Sequence, residues 1–236
     1  MKHGSLPILL TAPHGGTIRI DGVPDRKTGA RKRDADTYEI AVGVADRLEK
    51  RLGARPYLVA ARFHRASVDA NRAPEDAYED DRAKAAYDGY HAAIAGYVKE
   101  IDAKWPGVGL LLDIHGQAEF DGIHRGTKDG KTAARLVKRL GAGALVGEEG
   151  LFGRLAASGY AVFPPVGKPL GEPGEDPRFN GGYTVRTYGS EHDEGIDAIQ
   201  VEIGSRLRRD ATARRKLIDD LSEAVAGFHE AAQRKR

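Results

Sequence analysis

The sequence predicts one α/β domain, a three-layer α/β/α sandwich built on a mainly parallel sheet. Two observations carry this. Short apolar runs alternate with segments of helix length, the order that yields crossover units with helices on both faces of a sheet. No internal repeat, low-complexity tract or linker divides the 236 residues, so a single domain is expected to span 1–236.

Residues 6–10 (Leu-Pro-Ile-Leu-Leu) read as a buried first strand, followed by a loop rich in glycine and charge. Residues 37–52 place Ile40, Val44, Leu48 and Leu52 at helical spacing and stop at Gly53. A second strand is expected at 57–60, and a long helix over 80–101 whose exit is punctuated by Pro106 and Gly107. The run at 108–114 is apolar almost throughout, as in a strand covered on both faces. Helices are expected at 132–140 and 150–157, a strand at 160–163, an irregular loop over 164–182, a last strand at 198–203 and a final helix from 210 towards 233.

Composition narrows the function. Thirty-seven Lys and Arg against thirty-five Asp and Glu give a net charge of +2, and 40% hydrophobic with 31% charged residues is ordinary for a soluble globular chain. The longest apolar runs fall far short of the roughly 20 residues that span a bilayer, so no membrane partner is expected. The N-terminal residues lack the apolar core of a signal peptide, which makes the cytoplasm the expected compartment. With no cysteine, disulfides, thiol catalysis and Cys-ligated zinc are excluded.

In open α/β folds ligands bind beyond the carboxyl ends of strands. The first strand delivers Pro13-His14-Gly15-Gly16, and the strand after Gly109 delivers Asp113-Ile114-His115-Gly116. One such histidine alone would be an ordinary turn residue; two His-Gly elements at equivalent places on neighbouring strands point to a shared site. Neutral imidazole is a common zinc ligand, and without cysteine the third ligand must be a carboxylate. Asp34, Asp36 and Glu39, at the start of the first long helix, are the candidates, although Asp34 or Asp36 would serve equally as a helix cap.

Alternation along the last strand puts Gln200 and Glu202 on one face and Ile199, Val201 and Ile203 on the other. A glutamate inside an apolar strand needs a partner or a task. Acting as general base towards a metal-activated water is one task; pairing with an arginine would meet the need equally. Residues 65–72 pack Arg65, Asp69, Asn71 and Arg72 into eight positions, suited to gripping a carboxylate. Residues 181–189 bracket Arg186 and two tyrosines with glycines, as a loop closing over a ligand or a surface hairpin would. The basic run from Arg26 to Arg33 reads as a mobile, solvated loop without the aromatics that stack bases. The acids Glu75, Asp76, Glu79, Asp80 and Asp81 read as a solvated helix start.

Taken in order, these elements resemble the N-formylglutamate amidohydrolase family. The matching pieces are P-H-G-G at 13–16, an Asp at the next helix start, R-x-x-x-D-x-N-R at 65–72 and D-I-H-G at 113–116. They continue with G-T-x-D-G at 126–130, G-G-Y-T-V-R-T-Y-G at 181–189 and A-I-Q-V-E at 198–202. The resemblance implies a zinc carboxypeptidase/phosphorylase-hydrolase-like fold with a mainly parallel mixed sheet. It implies that His14, Asp36 and His115 bind Zn2+ and that Glu202 is the general base and acid. It further implies that Asn71 and Arg72 hold the substrate's carboxylate, with Arg186 contacting substrate; in the mechanism expected here, the metal and a nearby arginine, Arg65, stabilise the oxyanion.

The expected activity is zinc-dependent hydrolysis of an amide in a small carboxylate-bearing substrate, such as an N-formyl or N-acyl amino acid. The rival is a non-catalytic anion- or partner-binding protein that retains the hydrolase fold. No nucleic acid is expected: Asp210, Asp219 and Asp220 interrupt the basic face of the last helix.

Overall fold

The structure, a computed structural model, describes residues 1–234. Six strands form one sheet in the order β2-β1-β3-β6-β4-β5. They are β1 (Ile8–Ala12), β2 (Tyr57–Ala60), β3 (Leu110–Gln117), β4 (Ile123–Gly126), β5 (Val162–Phe163) and β6 (Asp197–Gly204). β1, β2, β3 and β6 are mutually parallel; β4 runs antiparallel to β6, with β5 parallel to β4. The helices are α1 (Thr37–Leu52), α2 (Pro74–Ala77), α3 (Lys84–Lys104), α4 (Ala134–Leu140), α5 (Gly143–Val146), α6 (Leu151–Ala157), α7 (Tyr183–Tyr188), α8 (Ser205–Arg209) and α9 (Ala211–Arg234). The expected mainly parallel mixed sheet between helical layers is what forms.

Side-chain alternation sorts each strand between two cores. Ile8, Leu10, Leu112, Ile114, Ile199, Val201 and Ile203 face α1, α9 and the α4–α6 group. Leu9, Leu111 and Ala198 face α3. Most of these side chains are wholly buried, and each leucine, isoleucine or valine among them contributes about 1.5–3 kcal/mol by leaving water. α1 ends at Gly53, whose positive φ of 69° lets its N–H reach the Glu49 carbonyl.

On the α3 face the strands change character toward their carboxyl ends. Beyond Leu9, Leu111 and Ala198 the same face carries Thr11, Asp113, His115, Gln200 and Glu202, all buried. This line of polar groups inside the sheet sets the position of the site.

Several boundaries differ from expectation. Asp80 accepts from the Arg82 N–H and opens a 3-10 turn (Asp81–Ala83) ahead of α3. β4 has no expected counterpart, since Ile-His-Arg-Gly carries no apolar run, and only two residues of the expected 160–163 strand pair. Residues 183–188 form α7 rather than a hairpin or loop. No helix among the described residues is long and apolar enough to cross a membrane.

Candidate active site

β1 and β3 are direct neighbours, and the two His-Gly elements come together as their spacing implies. The His14 and His115 rings meet edge to face with centroids 4.8 Å apart, each ring only 2% exposed. Glycine follows each histidine for a steric reason. A Cβ on Gly15 would collide with the backbone nitrogen of Tyr38 in α1, and one on Gly116 with the guanidinium of Arg208.

The third member of the cluster is Asp34. Its Oδ2 lies 3.3 Å from His14 Nδ1 and 3.5 Å from His115 Nδ1, and it accepts from the Gly116 N–H at 3.0 Å. Ligand atoms of His14, Asp34 and His115 lie within 4.8 Å of one another, a spacing that suits a metal ion. Asp36, the expected carboxylate, is turned away. It sits in a left-handed turn with φ 69°, and its carboxylate lies 3.6 Å from Arg214 of α9. Glu39 is exposed in the first turn of α1. Neither Asp34 nor Asp36 caps α1 through its side chain: Asp36 makes no such bond, and Thr37 Oγ1 donates to the Asp34 carbonyl.

Each histidine is held from behind by a second carboxylate. His14 Nε2 lies 2.6 Å from Asp69 Oδ1, and His115 Nε2 lies 2.7 Å from Asp113 Oδ2. Thr11 Oγ1 donates to the other Asp113 oxygen at 2.6 Å. Both rings therefore present Nδ1 to Asp34 and Nε2 to a buried aspartate, the arrangement that fixes a metal-binding imidazole's tautomer and orientation.

The electrostatics follow from this packing. Burial alone would raise the Asp34 carboxyl, but His14 and His115 outweigh it and hold Asp34 well below the usual carboxylate range. For Asp69, burial is outweighed by His14 and Arg65, and for Asp113 by His115 and Thr11; both are held low. Burial would lower His115, yet Asp113, Asp34 and Glu202 raise it well above its ordinary value.

Glu202 pairs in register with His115 across β3 and β6, and its Oε1 lies 3.9 Å from His115 Nδ1. Gln200, on the same face, donates to that oxygen at 3.0 Å. Oε2 is buried and has no protein partner. Burial pushes the carboxyl up to about 7, against the opposing pull of His115. Glu202 is therefore poised to exchange a proton near neutral pH.

The segment 65–72 lies against this cluster. Arg65 Nε donates to Asp69 at 3.0 Å and its Nη1 to Asp34 at 3.3 Å, which ties the two carboxylates together. Asn71 Nδ2 is 3.3 Å from His115 Nε2, and its Oδ1 accepts from the Thr184 N–H of α7 at 2.8 Å. α3 supports the segment from below: His91 Nε2 is 3.0 Å from the Ala70 carbonyl, and Tyr87 donates to the Arg72 carbonyl at 2.9 Å. The Arg72 side chain is 58% exposed and touches Asp69 only at 3.9 Å, so its guanidinium is available. Arg186 is exposed on α7, with Nε donating to the Gly181 carbonyl at 2.8 Å. His14, Asp34, His115, Gln200 and Glu202, together with Arg65, Asn71, Arg72 and Arg186, line one cleft of about 1310 Å³.

The basic run holds a surprise. Arg26 is 3% exposed, donates to the carbonyls of Thr28, Ala30 and Arg65, and lies 3.7 Å from Asp69. The segment is pinned there rather than solvated. Glu79 secures it from the other side by accepting from the N–H groups of Lys27 and Thr28, each at 2.8 Å.

A profile of the N-formylglutamate amidohydrolase family matches residues 78–208, more than half of the chain. The chain belongs to this family. As an N-formylglutamate amidohydrolase family member it is a hydrolase of amide bonds, and it keeps His14, His115 and Glu202 in one cluster, against the rival of a fold that has lost its chemistry. No curated protein matches by sequence. Among solved structures, the N-formylglutamate amidohydrolase from Ralstonia eutropha JMP134 shares 17% identity over 99% of this chain and 96% of that one, with a TM-score of 0.71. A gene product from Agrobacterium tumefaciens shares 17% identity over 97% of this chain and 90% of that one, with a TM-score of 0.57. At such identities the likeness speaks for the fold.

Sequence reasoning about this family member left out Asp69 and Asp113 as supports of the histidines, Arg208 and the role of Gln200. Asp113 carried a signal: it shares strand parity with His115 inside an apolar run. Arg208 carried none. Its guanidinium donates to the carbonyls of Ile203, Gln117 and Ala35, joining three segments that are far apart in sequence.

Proposed function

We propose that this chain is a zinc-dependent amidohydrolase acting on a small carboxylate-bearing substrate, an N-formyl or N-acyl amino acid of the N-formylglutamate kind. The observation that carries the reading is the convergence of His14 Nδ1, His115 Nδ1 and Asp34 beside a buried glutamate with one oxygen unpartnered. Two imidazoles and a carboxylate are a fitting donor set for a catalytic zinc site, which keeps a further position open.

His14, Asp34 and His115 would hold the ion, with Asp69 and Asp113 fixing the two rings. Bound there, zinc supplies a Lewis acid for the scissile carbonyl and lowers the pKa of water. Glu202 takes the proton from the attacking water and returns it to the leaving nitrogen, a task matched to a carboxyl near neutrality. Arg65, immobilised by Asp69 and Asp34 beside the cluster, lends its positive charge to the oxygen on which negative charge develops. Arg72 grips the substrate carboxylate in a bidentate fork, with Asn71 and Arg186 on the same side of the cleft. The products are a carboxylate and a free amine.

The test is turnover of N-formyl-L-glutamate and a series of N-acyl amino acids by protein purified without a histidine tag. Activity that a chelator abolishes and zinc restores is expected. Turnover that survives removal of all divalent metal contradicts the reading.

A further inference from the structure

Every nitrogen of one buried guanidinium ends on a backbone carbonyl beside the site. Arg208 lies on α8, which follows β6 without a break. Its Nε donates to the Ile203 carbonyl at 2.9 Å, its Nη2 to the Gln117 carbonyl at 3.1 Å and its Nη1 to the Ala35 carbonyl. Each acceptor stands next to a working residue. Ala35 follows Asp34, Ile203 follows Glu202, and Gln117 lies two residues after His115. One planar fork therefore ties together the loop before α1, β3 and β6, the three segments that carry Asp34, His115 and Glu202.

The contact with β3 is closer still. Gly116 packs against the guanidinium, so tightly that a Cβ there would collide with its Cζ and Nε. The same Gly116 donates its N–H to Asp34 Oδ2 at 3.0 Å. Arg208 thus backs the peptide that holds the candidate carboxylate ligand. α8 is fastened in turn: the Arg208 carbonyl accepts from Arg214 of α9 at 2.7 Å, and Arg214 lies 3.6 Å from Asp36. Burying a guanidinium costs free energy unless its donors are met, and here carbonyls meet all three nitrogens. Arg208 lines the cleft, but unlike Arg72 its fork is committed to the protein.

We infer that Arg208 is a positioning residue, which fixes the separation of Glu202 from Asp34 and His115 and acts on the reaction through them, without touching substrate. The inference rests on the amidohydrolase reading and adds a residue that the reading does not use. Its weight comes from geometry: a misplacement of about 1 Å at a reacting centre costs roughly 100-fold in rate.

Three variants test it, each studied well below its own Tm. Arg208→Met keeps the stem and loses every donor. Arg208→Lys keeps the charge but offers one nitrogen where the fork offers three. Gly116→Ala displaces the guanidinium without deleting it. In zinc-loaded Arg208→Met acting on N-formyl-L-glutamate or the best N-acyl amino acid, kcat should fall at least about tenfold with KM within about twofold. Its zinc Kd, from competition with a chromophoric chelator, should rise about 10–100-fold. Arg208→Lys should regain little of either. Gly116→Ala should reproduce part of both losses and add almost nothing in the Arg208→Met background. A merely structural role lowers Tm and leaves kcat and zinc Kd unchanged; that result overturns the inference, as does full recovery in Arg208→Lys. Should Arg208→Met fail to fold, Arg208→Lys and Gly116→Ala carry the same comparison. If the wild type hydrolyses none of these amides, the hydrolase reading fails and zinc Kd alone decides the role of Arg208. If it binds no divalent metal either, hydrogen exchange at the Gly116 amide decides: faster in the Arg208 variants upholds the inference, and an unchanged rate overturns it.

Discussion

His14 and Asp69 are joined at 2.6 Å through Nε2 and Oδ1, on the side of the ring away from Asp34. Asp113 does the same for His115 at 2.7 Å. These pairs decide which ring nitrogen faces the cleft and how freely each ring turns. Removing such support typically weakens metal binding about 10–100-fold. Asp113→Asn is therefore expected to lower zinc affinity by that factor, measured by competition with a chromophoric chelator. Asp69→Asn should do at least as much, because it also releases Arg65.

Glu202→Gln keeps the shape of the side chain and its bond to Gln200 within reach while removing the base. With zinc occupancy unchanged, kcat should fall by roughly 10²–10⁴. In the wild type kcat/KM should decline on acidification, since Glu202 must be ionised to accept a proton and burial holds it at about 7. A bound cation favours the carboxylate further, so this acid limb lies at or below pH 7 and is absent from the residual activity of the variant.

Arg72 is exposed and nearly free, so its loss should disturb neither the cluster nor the fold. If it holds the substrate carboxylate in ground and transition states alike, Arg72→Ala mainly raises KM. Arg72→Lys recovers only part of the loss, because an ammonium lacks the planar fork. A fall confined to kcat would move Arg72 from binding to catalysis.

Glu79 offers a pH test at a carboxylate whose bonds go to Lys27 and Thr28 and to no candidate metal ligand. Bonds from the Thr28 hydroxyl and from the N–H groups of Lys27 and Thr28 hold its carboxyl at about 2, against an ordinary 4.5. A depressed carboxyl contributes stability that is present above its unfolded pKa and is lost as pH falls through its folded one. Glu79→Gln should thus lower the urea midpoint by a constant amount above about pH 5, and the difference should shrink from pH 4.5 towards 2.

The fold was legible because its signals are local and repeated: apolar runs for β1, β3 and β6, and helical spacing ending at Gly53 for α1. β4 escaped because its only long apolar side chain is Ile123; its pairing with β6 is set by tertiary contacts. In the site, His14, His115 and Glu202 could be found from strand ends and parity. The carboxylate could not be chosen among Asp34, Asp36 and Glu39, because the choice depends on one left-handed residue, Asp36, that rotates its own side chain toward α9. Arg26 was misread for a similar reason. Its partners are backbone carbonyls and an aspartate more than forty residues away, and nothing in the run of basic residues marks the one that is buried.

The central claim is that His14, Asp34 and His115 hold a divalent metal, and metal analysis of tag-free protein tests it most directly. Wild type and Asp36→Ala should each retain about one equivalent of zinc after dialysis, while Asp34→Ala, shown by circular dichroism to be folded, should lose it, since one of only three protein ligands is gone. Zinc retained in full by Asp34→Ala, or lost from Asp36→Ala, would contradict the account.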